Sequence, residues 1–131
     1  MTFLRIAIAT LLLNLTVHAQ PTATATGAWA EQRDRATVVY ATINNPSMYD
    51  VYVVSAKSDA AKKVELLAKD KPVTSLTVPA YGSLELKRGE AAIRLNDLVR
   101  ELKVGDELKV TLETDGGASI EIAAVIKATE P

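Results

Sequence analysis

Few side chains in this sequence can do chemistry beyond forming salt bridges and hydrogen bonds. There is one histidine, His18, two methionines, Met1 and Met48, and no cysteine. Imidazole, thiolate and thioether are the groups that general acid–base work, nucleophilic attack and soft-metal binding draw on. Met1 and His18 both lie in an N-terminal segment that reads as a removable signal, which leaves Met48 as the single soft donor of the remainder. The carboxylates Glu65, Glu85, Asp97 and Glu101 could in principle serve as an acid and a base, but no spacing fixes any two of them as a pair. "GEAAIRL" and "DGGAS" are too short and too poor in glycine to cradle a phosphate, and no helix of useful length follows either. The sequence therefore reads as a protein that is not an enzyme.

Arg94 is the charged residue with two distinct readings. As a solvated residue at a strand end it would pair with Asp97 or Glu65, an arrangement that contributes little. As a binding residue its guanidinium would anchor a carboxylate of a partner or ligand.

The elements that must position these residues follow from the hydrophobic pattern. "MTFLR" carries one positive charge, Arg5, and "IAIATLLLNL" (6–15) is an apolar run too short to span a bilayer. "TVHA" places Val17 and Ala19 at the −3 and −1 positions of a small-residue cleavage site. This is the pattern of a secretory signal peptide over residues 1–19. "QPTATATG" begins a Thr/Ala tract with little to bury, read as a flexible linker over 20–26 or a frayed first strand. One domain then spans 27–127, and "ATEP" (128–131) is a tail. The full chain has a net charge of −1, and loss of Arg5 makes the exported form one unit more negative. That balance gives no footprint for nucleic acid and no attraction to an anionic membrane. Without cysteine the domain must rely on core burial alone, even in an oxidising compartment.

Within the domain the pattern is β throughout. "ATVVYATIN" (36–44) and "DVYVVSAKS" (50–58) are dense in Val, Ile, Thr and Tyr, with "NPSMY" between them, and are expected to form a hairpin. "KKVELLA" (62–68) and "VTSLTV" (73–78) flank "KDKP" as a second hairpin. "SLELK" follows the turn "PAYG". "ELKVTLET" (107–114) and "SIEIAAVIK" (119–127) alternate cleanly around Asp115-Gly116-Gly117 as a third hairpin. In "RGEAAIRLNDLVRELKVGD" (88–106) a strand gives way to a loop with at most one helical turn. Many short strands with regular turns point to an antiparallel Greek-key β-sandwich. Trp29 is expected to cap the core, and Tyr40, Tyr49, Tyr52 and Tyr81 to be strand and turn residues.

Three segments, "GAWAEQRDRATVVYATINN", "DVYVVSAKSDAAKKVEL" and "VPAYGSLELKRGEAAIRLNDLVRELKVGDELKVTLET", together resemble the periplasmic copper chaperones written PCu(A)C. The likeness spans nearly the whole domain and is most specific at "GSLELKRG" and "LKVGDELKVTL". It implies a cupredoxin-like, immunoglobulin-like sandwich, a periplasmic or secreted location, and copper passed towards cytochrome oxidase. The family holds Cu(I) with a His and Mets on one stretch and a His-x-Met pair further on. Carried over by position, the first His falls on Leu67 and a Met on Lys69. The His-x-Met pair falls on Ala92 and Arg94, and a further Met on Asn96. None of these is a soft donor, and Met48 lies in another loop as at most a weak one. Two expectations follow. One is a metal-free binding or assembly module of the cell envelope, with an envelope protein as partner, no nucleic acid, and no membrane insertion after signal removal. The other is a divergent copper chaperone.

Overall fold

The computed structural model describes residues 22–128. The segment 1–19 read as a signal peptide, residues 20 and 21 of the expected linker and residues 129–131 of the expected tail lie outside the described residues. Strict alternation shapes the chain: in β10 (Ser119–Ile126) Ile120, Ile122, Ala124 and Ile126 are buried while their neighbours are exposed. The other strands are β1 (Thr24–Arg33), β2 (Ala36–Asn44), β3 (Val51–Ser58), β4 (Ala61–Ala68), β5 (Lys71–Val73), β6 (Leu76–Val78), β7 (Ser83–Leu86), β8 (Ala91–Leu98) and β9 (Glu107–Thr114). No helix is present among the described residues.

The strands run in the order β4-β8-β7-β2-β1-β10-β9-β3. The sheet closes on itself where Ser58 of β3 meets Ala61 of β4. Closure leaves few exposed edges, and β5 and β6 cover parts of the β4 and β3 edges. The β1–β10 and β7–β8 pairs are parallel and the rest antiparallel. Inside lie Val39, Ile43, Val53, Ile93, Leu95, Leu108, Val110 and Leu112, all essentially inaccessible to solvent.

The expected hairpins are met in part. β9 and β10 pair around the 115–118 turn from Glu113↔Ser119 to Glu107↔Val125. By contrast β2 and β3 do not pair: β2 lies between β1 and the β7/β8 strands, and β3 between β9 and β6. The cause is Asn45, whose amide donates to the carbonyls of Val78 and Pro79 and so turns the chain across the barrel instead of back on itself. The 73–78 run is likewise not one strand. Val73 pairs with Leu66 of β4, and Leu76–Val78 crosses to β3. The Thr/Ala tract is a strand, not a linker, from Thr24 onward, with Thr24, Ala25 and Thr26 opposite Asn44, Ile43 and Thr42. A bulge follows at Gly27, whose φ of 65° suits glycine, and it brings Trp29 opposite Tyr40. The two rings then lie 4.8 Å apart, with Trp29 packed on the core as its cap. β8 continues to Leu98, past the point where a loop was expected, with Asp97 at a φ of 51°.

β2 departs from alternation: Ala36 to Ala41 are buried without a break. Its inner face belongs to the core, and its outer face is covered by side chains of the site described below. One inner residue, Thr37, is fully buried and its Oγ1 has no hydrogen-bond partner among the described residues. An unmet hydroxyl in the core is costly. Thr37→Val, which keeps the shape and removes the hydroxyl, is expected to raise stability by about 1 kcal/mol, read as a higher urea midpoint.

Candidate functional site

The register of β4 on β8 sets Glu65 opposite Arg94, Leu67 opposite Ala92 and Lys63 opposite Asn96. On its other side β8 sets Arg94 opposite Val38. Because side chains alternate along a strand, Ile93 and Leu95 fill the core while Ala92, Arg94 and Asn96 share the outer face. There they line a cavity of about 340 Å³ whose floor is Ala36, Val38, Leu67 and Ala92 and whose walls include Arg33, Arg88 and Arg94. Leu67, Ala92, Arg94 and Asn96 are thus brought together on one face. Lys69 is exposed in the β4–β5 turn and does not line the cavity, and Met48 is exposed in the β2–β3 loop.

Two carboxylates organise the polar side chains. Glu65 Oε1 accepts from Arg94 Nε at 3.0 Å, from Arg94 Nη2 at 2.7 Å and from Asn96 Nδ2 at 2.7 Å. Of the two partners open to Arg94, Glu65 is the one it takes. The Arg94 guanidinium holds the Glu65 carboxyl below its ordinary range, against a smaller opposing effect of burial and with further help from Asn96. The second carboxylate, Glu31, is 4% exposed. Tyr40 donates to its Oε2 at 2.6 Å, Arg88 Nε donates to the same oxygen at 3.1 Å, and Arg88 Nη2 donates to Oε1. Arg33 stands 3.9 Å away. Burial pushes the Glu31 carboxyl up, but the hydrogen bonds from Arg88 and Tyr40 outweigh it and hold the group below the usual range. The Tyr40 phenol is pushed up by burial and by its bond to Glu31.

Sequence reasoning missed Glu31, Arg33 and Arg88. In the β1 pattern Glu31 stands on the face opposite Ala30, where a carboxylate is normally solvated. Tyr40, Arg33 and Arg88 enclose it, and Arg88 comes from the β7–β8 turn far along the chain. The rim includes two tight turns: Asp34-Arg35 and Lys69-Asp70 are two-residue hairpin turns with φ of 48°, 69°, 52° and 67°. Positive φ at both central residues is the hairpin conformation that matches strand twist.

The cavity therefore presents guanidinium groups, the carboxylates of Asp34 and Asp70, the Tyr40 phenol, an amide and aliphatic carbons. Copper does not fit that set: Leu67 and Ala92 have no donor atom, Asn96 is engaged by Glu65, and Arg94 repels a cation. Among the described residues no three His, Cys, Asp or Glu side chains converge on a point where a metal could sit. Glu85 and Glu101 are each bridged to a surface lysine, at 3.2 Å and 3.5 Å, and form no acid–base pair with each other.

Residues 14–126 match the family described as "Putative lipoprotein LpqE-like". The chain belongs to the LpqE-like family. Its fold is shared with solved PCuAC domains. The copper-bound PCuAC domain from PmoF2 is 16% identical, with a TM-score of 0.73 over 86% of this chain and 97% of that one. The apo PCuAC domain from PmoF1 is 22% identical, with a TM-score of 0.73 over 86% and 98%. The solution structure of CuI-DR1885 from Deinococcus radiodurans is 27% identical, with a TM-score of 0.68 over 92% and 87%. No curated protein matches the chain significantly. The resemblance read from the sequence holds: the LpqE-like chain has the all-β, closed fold of PCuAC domains.

Two outcomes are expected of the Glu31 cluster. Glu31→Ala removes the buried carboxylate that Arg88 and Tyr40 share and should cost about 3 kcal/mol in urea unfolding, whereas Glu65→Ala, at a more open pair, should cost about 1 kcal/mol. Both carboxyls have folded pKa values below their ordinary 4.5. Their stabilisation is therefore complete above that value and is lost as pH falls through the lowered ones. The urea midpoint should hold steady from neutral pH to about pH 5 and then drop, and Glu31→Gln should flatten that drop.

Proposed function

We propose that the protein is an exported binding or assembly module of the cell envelope that uses the PCuAC fold without a copper site. The observation that carries this reading is the outer face of β4 and β8. Leu67, Ala92, Arg94 and Asn96 stand together where the resemblance puts donors, and two of them are committed to Glu65 Oε1. Soft-metal affinity needs soft ligands, and Met48, the only thioether after the signal segment, lines another part of the molecule.

Export to the periplasm or beyond is supported by the charged start, apolar run and small-residue site of residues 1–19. A cupredoxin-like Greek-key sandwich is the finer description that suits the closed sheet, supported by the crossing of the chain between β2 and β3. A non-catalytic role is supported by a composition with His18 as its sole imidazole and no thiol. The partner is an envelope protein, not a nucleic acid, and the processed chain inserts in no membrane. Among the described residues no helix is long and apolar enough to cross one.

A copper-carrying role is the second reading, and its support is the likeness to CuI-DR1885, at 27% identity over 92% of this chain. Cu(I) titration of the protein against a competing chelator separates the two. No stoichiometric withdrawal of Cu(I) is expected, and tight one-to-one binding would overturn the metal-free reading.

A further inference from the structure

The end of the barrel away from Arg88 has a different chemistry. Asn45, 2% exposed, holds it together. Its Nδ2 donates to the carbonyls of Tyr49 (2.8 Å), Val78 (3.1 Å) and Pro79 (3.2 Å), and its Oδ1 accepts from the Ser47 amide (3.0 Å) and hydroxyl (2.7 Å). Its own amide donates to Gly82 O at 2.8 Å, and the Tyr81 amide to Ser47 O at 3.0 Å. The 45–50 and 79–82 loops are thereby fixed as one surface. On it Met48, Tyr49 and Tyr81 are 59%, 71% and 72% exposed. Large side chains held in water on a rigid frame are the form that binding anchors take, since little ordering remains to be done on contact.

Beside this surface the β9–β10 turn is tied to β3, the Asp115 amide donating to Tyr52 O and Asp115 Oδ1 accepting from the Tyr52 amide. Between turn and loops lies a cavity of about 510 Å³, lined by Tyr49, Asp50, Thr114 and Asp115 among others. Its lining has two carboxylates and no lysine or arginine to offset them, whereas the arginine-walled cavity sets three arginines against the two carboxylates of Asp34 and Asp70. One oxygen of Asp50 is used by the Ala80 amide and one of Asp115 by the Tyr52 amide, and neither second oxygen has a partner among the described residues.

We propose that this end docks a basic segment of a protein partner, with a Lys or Arg side chain seated between Asp50 and Asp115 and its stem against Tyr49. Charge complementarity selects this occupant. Two carboxylates in a concave site attract a cation and repel an anionic membrane surface. The tyrosine ring adds a face for a guanidinium. The cavity is large enough for such a side chain and is already formed. This surface is separate from the β4–β8 face, so the outcome of a copper titration does not bear on it.

The test is a titration of the full-length chain, followed by amide proton–nitrogen correlation spectra, with the peptide acetyl-Gly-Arg-Arg-Arg-Gly-amide and its glutamate counterpart. Saturable shifts confined to residues 45–51 and 114–120 are expected with the arginine peptide alone. Asp50→Asn with Asp115→Asn keeps a side-chain oxygen to accept from the Ala80 and Tyr52 amides and should weaken binding by about tenfold. Tyr49→Ala, which removes an exposed ring and leaves the carbonyl that Asn45 uses, should weaken it by about threefold. Overturning results are the absence of saturable shifts, an equal response to the glutamate peptide, or shifts centred on Arg33 and Arg88. The same holds if the sites shift on concentrating the protein alone, on adding anionic phosphatidylglycerol vesicles in place of peptide, or only after residues 1–21 are removed.

Discussion

Glu31 is a carboxylate shut away from water, and much of the architecture around the β2 strand depends on how it is paired. A lone buried carboxylate would protonate or unfold its surroundings. Here Arg88 reaches it from the β7–β8 turn, Tyr40 from β2 and Arg33 from the end of β1. One anion thus ties β1 and the adjacent β2 to the β7–β8 turn, which follows it by 57 positions. The same contacts roof the outer face of β2, which is why that strand is buried on both sides from Ala36 to Ala41. The sheet is closed by few β3–β4 pairs, so side-chain ties of this kind hold what the backbone ladder does not.

Glu65 plays a smaller part of the same kind between β4 and β8. Its oxygen draws Arg94 and Asn96 inward over an aliphatic floor, and the outer face becomes a set of satisfied hydrogen bonds. A carrier of Cu(I) needs the reverse, exposed soft donors that can exchange. The fold shared with PCuAC domains is compatible with either chemistry, because the strands fix where side chains stand and not what they are. The two ends of the barrel differ in chemistry, one walled by arginines that are engaged with carboxylates, the other fixed by Asn45 and presenting tyrosines and aspartates.

The sequence was most legible where one periodicity decides the structure. The β9–β10 hairpin was visible because alternation and Asp115-Gly116 agree. It was least legible where a contact distant in sequence decides. The β2–β3 run looked like a hairpin because the amide of Asn45, which redirects it, bonds to carbonyls of Val78 and Pro79. Glu31 looked solvated because Arg88 follows it by 57 positions. Residues 24–26 looked too small to fold because their pairing with β2, not their own burial, orders them.

The proposed metal-free role requires a PCuAC scaffold that could still hold copper if given soft donors. Its most direct measure is the Cu(I) affinity of a variant with Leu67→His, Ala92→His and Arg94→Met, set beside the unaltered protein in the same chelator competition. The variant should withdraw one Cu(I) per chain while the unaltered protein withdraws none. A variant that folds yet binds no copper, or an unaltered protein that binds as tightly as the variant, would contradict it.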